Sequence, residues 1–188
     1  MKKDMKEMNE NFARYAGDLK KYLDAHWVGT SGGEPGPAHG KSAAELTKGA
    51  EYTERDAKNL EELISLPRES FHDMLFRRIR EKGLTDAEVY KRANLDRKLF
   101  YKIRSNPSYH SRKNTVLALA AALEMNAAEA SQFLEKAGYA FSSCSKGDLI
   151  VRYFLEREVF DLQVINRALY EFGQPLLPAD AADVRPEE

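Results

Sequence analysis

An all-α fold is the expectation for this chain, on three observations. Apolar residues recur at steps of three and four in most stretches outside residues 28–41, the period of an amphipathic helix. Ser42 with Glu45 and Thr85 with Glu88 stand at the spacing of a capping box, in which a side-chain oxygen and a carboxylate three residues on satisfy each other's backbone N–H groups. Helix-stopping residues, Pro67, Gly83, Gly138 and Gly173 with Pro175, follow the periodic runs.

Residues 1–27 read as an amphipathic N-terminal helix. Met5, Met8, Phe12, Tyr15, Leu19, Tyr22 and His26 form an a/d seam. Such a seam meets either a partner helix, in a second copy or elsewhere in the chain, or the core of its own domain. Residues 28–41 hold five glycines and two prolines and read as a linker. Gly40-Lys41-Ser42 lacks the frame and the preceding strand of a phosphate loop. Residues 42–67 form an acidic helical segment: a short helix from Ser42, then one from Thr53 to about Leu66 with Ala57, Leu60, Leu63 and Ile64 on its apolar face. An acidic segment tethered to a basic one is expected to fold over it and compete with a polyanion.

The next helix is expected from Glu69 to about Lys82, with Phe71, Met74, Leu75, Arg78 and Ile79 inward, and Gly83 ends it. Then follow two helices joined by a tight turn. Thr85 caps the first, Asn94 turns the chain in a left-handed conformation, and Asp96 caps the second through about Arg104. Val89, Leu95, Leu99, Phe100 and Ile103 form the apolar side. Arg97, Lys98, Tyr101, Lys102 and Arg104 remain on the other. This is the pattern of a helix-turn-helix with a basic, partly aromatic second helix. Asn114 is the expected cap of the next helix, with Leu117, Leu119, Ala120 and Leu123 as its buried stripe. Ala127–Ala137 follows, with Ala130, Phe133 and Leu134 inward. Two more helices open near Lys146 or Asp148 and at Asp161. Residues 178–188 read as an acidic tail.

The chain has 188 residues and a net charge of -1. Residues 70–115 carry twelve Lys and Arg against five Asp and Glu, a net of +7 that leaves -8 elsewhere. That is a local footprint for a polyanion or a solvated charged surface. One cysteine, Cys144, excludes an internal disulfide and fits a reducing, cytoplasmic setting. No run is long and apolar enough for a membrane span.

On these motifs the chain resembles the phage-repressor, or xenobiotic-response-element, type of helix-turn-helix domain. Residues 114–126 and 127–138 resemble its fourth and fifth helices. The resemblance implies a lambda-repressor-like bundle of five helices within 68–177, here with two extra C-terminal helices and an N-terminal helical arm. From about Ser70 to Leu177 the chain also resembles a bacterial domain found alone or behind other modules such as macrodomains. The first resemblance implies a transcriptional regulator that binds double-stranded DNA without a cofactor. Arg97 and Lys98, with Tyr101 one turn on, would meet base edges, and Lys102, Arg104, Arg112 and Lys113 would lie near phosphates. A homodimer through the N-terminal helix or the last two helices goes with it. Two positions depart from the family pattern: Tyr90 where a small residue is usual, and Asp86 where a polar or basic one is usual. The alternative is an adaptor module of a bacterial signalling or defence system that holds protein partners and not DNA. Neither an enzyme nor a metal site is expected, because His26, His39, His72 and His110 are scattered and Cys144 stands alone.

Overall fold

The computed structural model describes residues 15–27, 54–65 and 69–178, which hold nine α-helices and no strand. The chain forms two units, Met1–Gly29 with Ser70–Glu188, and Thr30–Glu69. Helix α1 spans 15–26 and α2 spans Glu54–Ser65. In the larger unit α3 (Phe71–Glu81), α4 (Asp86–Arg92), α5 (Arg97–Ser105), α6 (Lys113–Ala122), α7 (Ala127–Lys136), α8 (Lys146–Glu156) and α9 (Leu162–Glu171) follow in order. The expected linker 28–41, the helix from Ser42, Leu63's side chain and the tail beyond Pro178 lie outside the described residues.

Most helix starts are written in their caps. Thr85 and Glu88 bond reciprocally at the head of α4, and Asp96 accepts from the Lys98 N–H at 2.7 Å at the head of α5. Ser70 with Asp73 and Asn126 with Glu129 form two further capping boxes, at α3 and α7. Each side-chain cap contributes about 1 kcal/mol. Ser145 caps α8 and Asp161 caps α9. Helix α6 differs from expectation. It starts at Lys113, after Arg112, and Asn114 is inside it rather than its cap. The turn at Asn94 has a φ of 51°, in the left-handed region that Asn tolerates.

Helix α6 also differs in its faces. All residues from Thr115 to Ala122 are buried, so it has no outer stripe. A helix apolar all round belongs at the centre of a bundle. Its alanines let α4, α7 and α9 approach it from three directions. Helix α8 packs on α7 and α9, so the two C-terminal helices complete the core. Phe100, Phe133, Tyr153 and Phe154 are among the largest fully buried side chains.

The described part of the N-terminal seam turns inward. Leu19 is fully buried and Leu23 nearly so. Tyr15 meets Phe154 with ring centroids 5.6 Å apart, and Tyr22 meets Tyr153 at 5.1 Å, both edge-on. Tyr15 and Tyr22 therefore pack on α8 of their own chain. Met5, Met8 and Phe12 lie outside the described residues. His26 stacks on Tyr22 at 4.2 Å and caps the helix end through the Tyr22 carbonyl.

Candidate nucleic-acid interface

Helix α5 has two faces because its apolar residues recur at three- and four-residue steps. Phe100 and Ile103 are buried and Leu99 is half-buried. Arg97, Lys98, Tyr101, Lys102 and Arg104 are all exposed. The first turn carries no acidic residue after the cap. Three of the cations lie over aromatic rings: the Arg97 guanidinium is 5.3 Å from the Tyr101 centroid, Lys102 Nζ is 4.6 Å from that of Tyr109, and Arg104 lies over Phe76. A cation held over a ring keeps its charge and loses little conformational freedom when it meets an anion.

The helix is anchored at its C-terminal end. His72 Nε2 on α3 stands 3.0 Å from the Arg104 carbonyl oxygen and donates to it. The Arg104 side chain lies 5.0 Å from the Phe76 ring and forms an ion pair with Asp86. This accounts for both departures noted in α4. Asp86 is a partner for Arg104 across the turn. Tyr90 is half-buried, with its ring 6.0 Å from that of Phe100, and fills space between the two helices. Arg104 thus differs from the expectation of a cation free for phosphate.

The loop after α5 is tied down from α7's end. Tyr139 donates its hydroxyl to the Ser111 carbonyl at 3.0 Å and lies 3.0 Å from His110 Nε2. Gly138 permits this approach with a φ of 80°. Arg112 is exposed beside α5's loop. Lys113 is not placed for phosphate contact: it points inward to Asp148, a buried carboxylate that also accepts from the Ser142 N–H at 2.7 Å.

Tertiary contacts change the electrostatic reading of residues 70–115. Glu129 takes Arg78 at 2.6 Å, and Glu124 takes Lys82 at 3.0 Å and Arg92 at 3.1 Å. The hydrogen bond from Lys82 is the main reason Glu124 titrates below the usual carboxylate range. With Arg77 on Glu81, Arg104 on Asp86 and Lys113 on Asp148, half of the twelve basic residues are paired. Among the described residues Arg80, Lys91, Arg97, Lys98, Lys102 and Arg112 have no ion-pair partner, and three of these six stand on α5. Of the seven residues singled out from the sequence, the structure brings Arg97, Lys98, Tyr101 and Lys102 onto one exposed face, with Arg112 exposed after it. It diverts Arg104 and Lys113.

Sequence reasoning left out three residues that shape this surface. Tyr109 stands under Lys102, His72 holds the end of α5, and Tyr139 holds the loop. His72 and Tyr139 act across about thirty residues of chain, so no local spacing could have pointed to them. Among the described residues no group of three or more His, Cys, Asp or Glu is placed to hold a metal ion, and no helix is long and apolar enough to cross a membrane. Comparison with protein-family models, with curated proteins and with solved structures gives no match.

Proposed function

We propose that this protein binds double-stranded DNA as a transcriptional regulator, with α5 as the helix that enters the major groove. The observation that carries the reading is the exposed face of Arg97, Lys98, Tyr101 and Lys102, on which no carboxylate pairs among the described residues. The order of α4, a short turn and α5, and the chain's resemblance to the repressor-type helix-turn-helix domain, support the same reading. Arg97, near the start of α5, has the fork geometry to take guanine N7 and O6 together, worth roughly 1–3 kcal/mol of discrimination. Lys98, Lys102 and Arg112 then supply phosphate contacts, each releasing counterions. A homodimer on two half-sites belongs to this proposal. The described seam residues Tyr15, Leu19 and Tyr22 are spent within the chain and would not form its contact.

The test is a titration of labelled duplex DNA at two salt concentrations. Binding that weakens steeply with salt, and that Arg97→Ala with Lys98→Ala weakens without loss of thermal stability, is the expected result. Salt-independent binding, or affinity unchanged in the double variant, would remove α5 from the reading.

One observation favours the adaptor alternative. On α2, Leu60 and Ile64 are 50% and 76% exposed, a pair of large apolar side chains one turn apart on an amphipathic helix. A protein partner would take such a face as i, i+4 anchors. Leu60→Asp with Ile64→Asp would then abolish partner capture and leave any DNA affinity intact.

A further inference from the structure

Away from α5, the last turn of α4 and one side of α9 enclose a groove of about 360 Å³. We propose that this groove binds a small organic anion, a carboxylate, sulfonate or phosphate carried on a flat apolar body.

The volume is in the range of small-molecule sites. Lys91, Arg92 and Arg167 line the groove together with Leu162, Tyr170 and Leu176, and no acidic residue does. Carboxylates around the groove are already engaged. Glu124 is shared by Lys82 and Arg92, Glu171 takes Arg167 Nη2 at 2.5 Å, and Asp161 accepts the Gln163 N–H at 2.8 Å as the cap of α9. Lys91 has no ion pair among the described residues, and Arg92 and Arg167, each paired with one carboxylate, have five N–H donors apiece. The groove therefore holds cationic donors that its own acids do not saturate. A planar anion fits a guanidinium in two parallel hydrogen bonds and an ammonium as a point charge.

The apolar half of the groove is held open. Tyr170 is 68% exposed and Leu176 45%, although both border a concave surface. Leu176 is set there by its neighbour. Asn166 donates to the Leu177 carbonyl and accepts from the Leu177 N–H, both at 2.7 Å, which pins the chain after α9 against that helix. The Leu176 side of the wall is thus built before any ligand arrives, which lowers the ordering that opposes binding. A flat ring against Tyr170 with its anionic group toward Lys91 and Arg167 uses both halves.

The experiment is isothermal titration of the full chain with 1-naphthoate, with 1-naphthylmethanol as the neutral analogue and inorganic phosphate as the anion without an apolar body. One saturable site for 1-naphthoate is expected, with each control at least fivefold weaker. Lys91→Ala with Arg167→Gln should weaken 1-naphthoate at least tenfold. Tyr170→Ala and Lys91→Ala alone, both at exposed positions, decide the matter if the double variant is unstable, and each should weaken it at least threefold. Absence of a saturable site, equal binding of either control, or affinity unchanged in these variants would overturn the proposal. The titration contains no DNA, so its outcome is independent of the α5 reading.

Discussion

Lys113→Met separates a structural cation from an interfacial one. The change keeps most of the aliphatic stem and removes the ammonium that faces Asp148. The Asp148 side chain is only 8% exposed, so its carboxylate is left with the Ser142 N–H as its one remaining partner. Breaking a fully buried pair on one side costs roughly 3–5 kcal/mol. Here Lys113 is partly exposed and one hydrogen bond survives, so a loss of about 2 kcal/mol is expected. For a chain of this size that lowers Tm by roughly 4–8 °C. Urea unfolding reads it as a lower midpoint with an unchanged slope. Asp148→Asn keeps an acceptor for Ser142, so the double variant should recover much of the loss. A coupling energy of about 1 kcal/mol or more in the cycle is expected. In the DNA titration Lys113→Met should leave the salt slope as it is. A stability loss below about 0.5 kcal/mol, or a salt slope that falls as it does for α5 variants, would refute the assignment.

Other outcomes follow from the same contacts. Lys102→Ala should reduce the slope of log affinity against log salt by about 0.9 with no change in thermal stability, whereas Asp86→Ala should release Arg104 and raise duplex affinity severalfold. An Asp86→Ala variant with unchanged affinity would show that Arg104 takes no part in binding. Leu19→Asp buries a carboxylate against α8 and should destabilise the larger unit by at least about 3 kcal/mol, read by urea unfolding; wild-type stability would mean α1 is not docked. Thr85, through its backbone N–H and then its hydroxyl, holds the Glu88 carboxyl below its ordinary value of 4.5. A depressed folded value means that this contribution is complete above about pH 4.5 and is lost as pH falls through the folded value. Glu88→Gln should therefore flatten the acid limb of the stability profile, and an unchanged limb would place the acid sensitivity elsewhere.

The helices of this chain were legible because their determinants are local. Thr85 and Glu88, or Asp96 and Lys98, are two or three residues apart, and the chemistry that starts each helix lies within one turn. The three- and four-residue steps of Leu99, Phe100 and Ile103 likewise set which side of α5 is apolar wherever that helix docks. Two expectations for α6 differ from the structure. Asn114 is a good cap residue, but the helix begins at Lys113, two residues before an Asn114 cap would start it. The stripe expected on α6 became a helix buried on all sides from Thr115 to Ala122 because three neighbours, and not one, pack around it.

By itself the sequence determined the helical class, most of the helix starts and the two-faced character of α5. Each rests on contacts between residues within a turn of one another. Only the tertiary structure decided which charges survive at the surface. Arg78 meets Glu129 across 51 residues, Lys82 meets Glu124 across 42, and Lys113 meets Asp148 across 35. Periodicity shows that a face must be covered, and charge shows that a partner is favourable. Neither specifies which distant segment supplies the cover or the partner, since that depends on how all the helices pack at once.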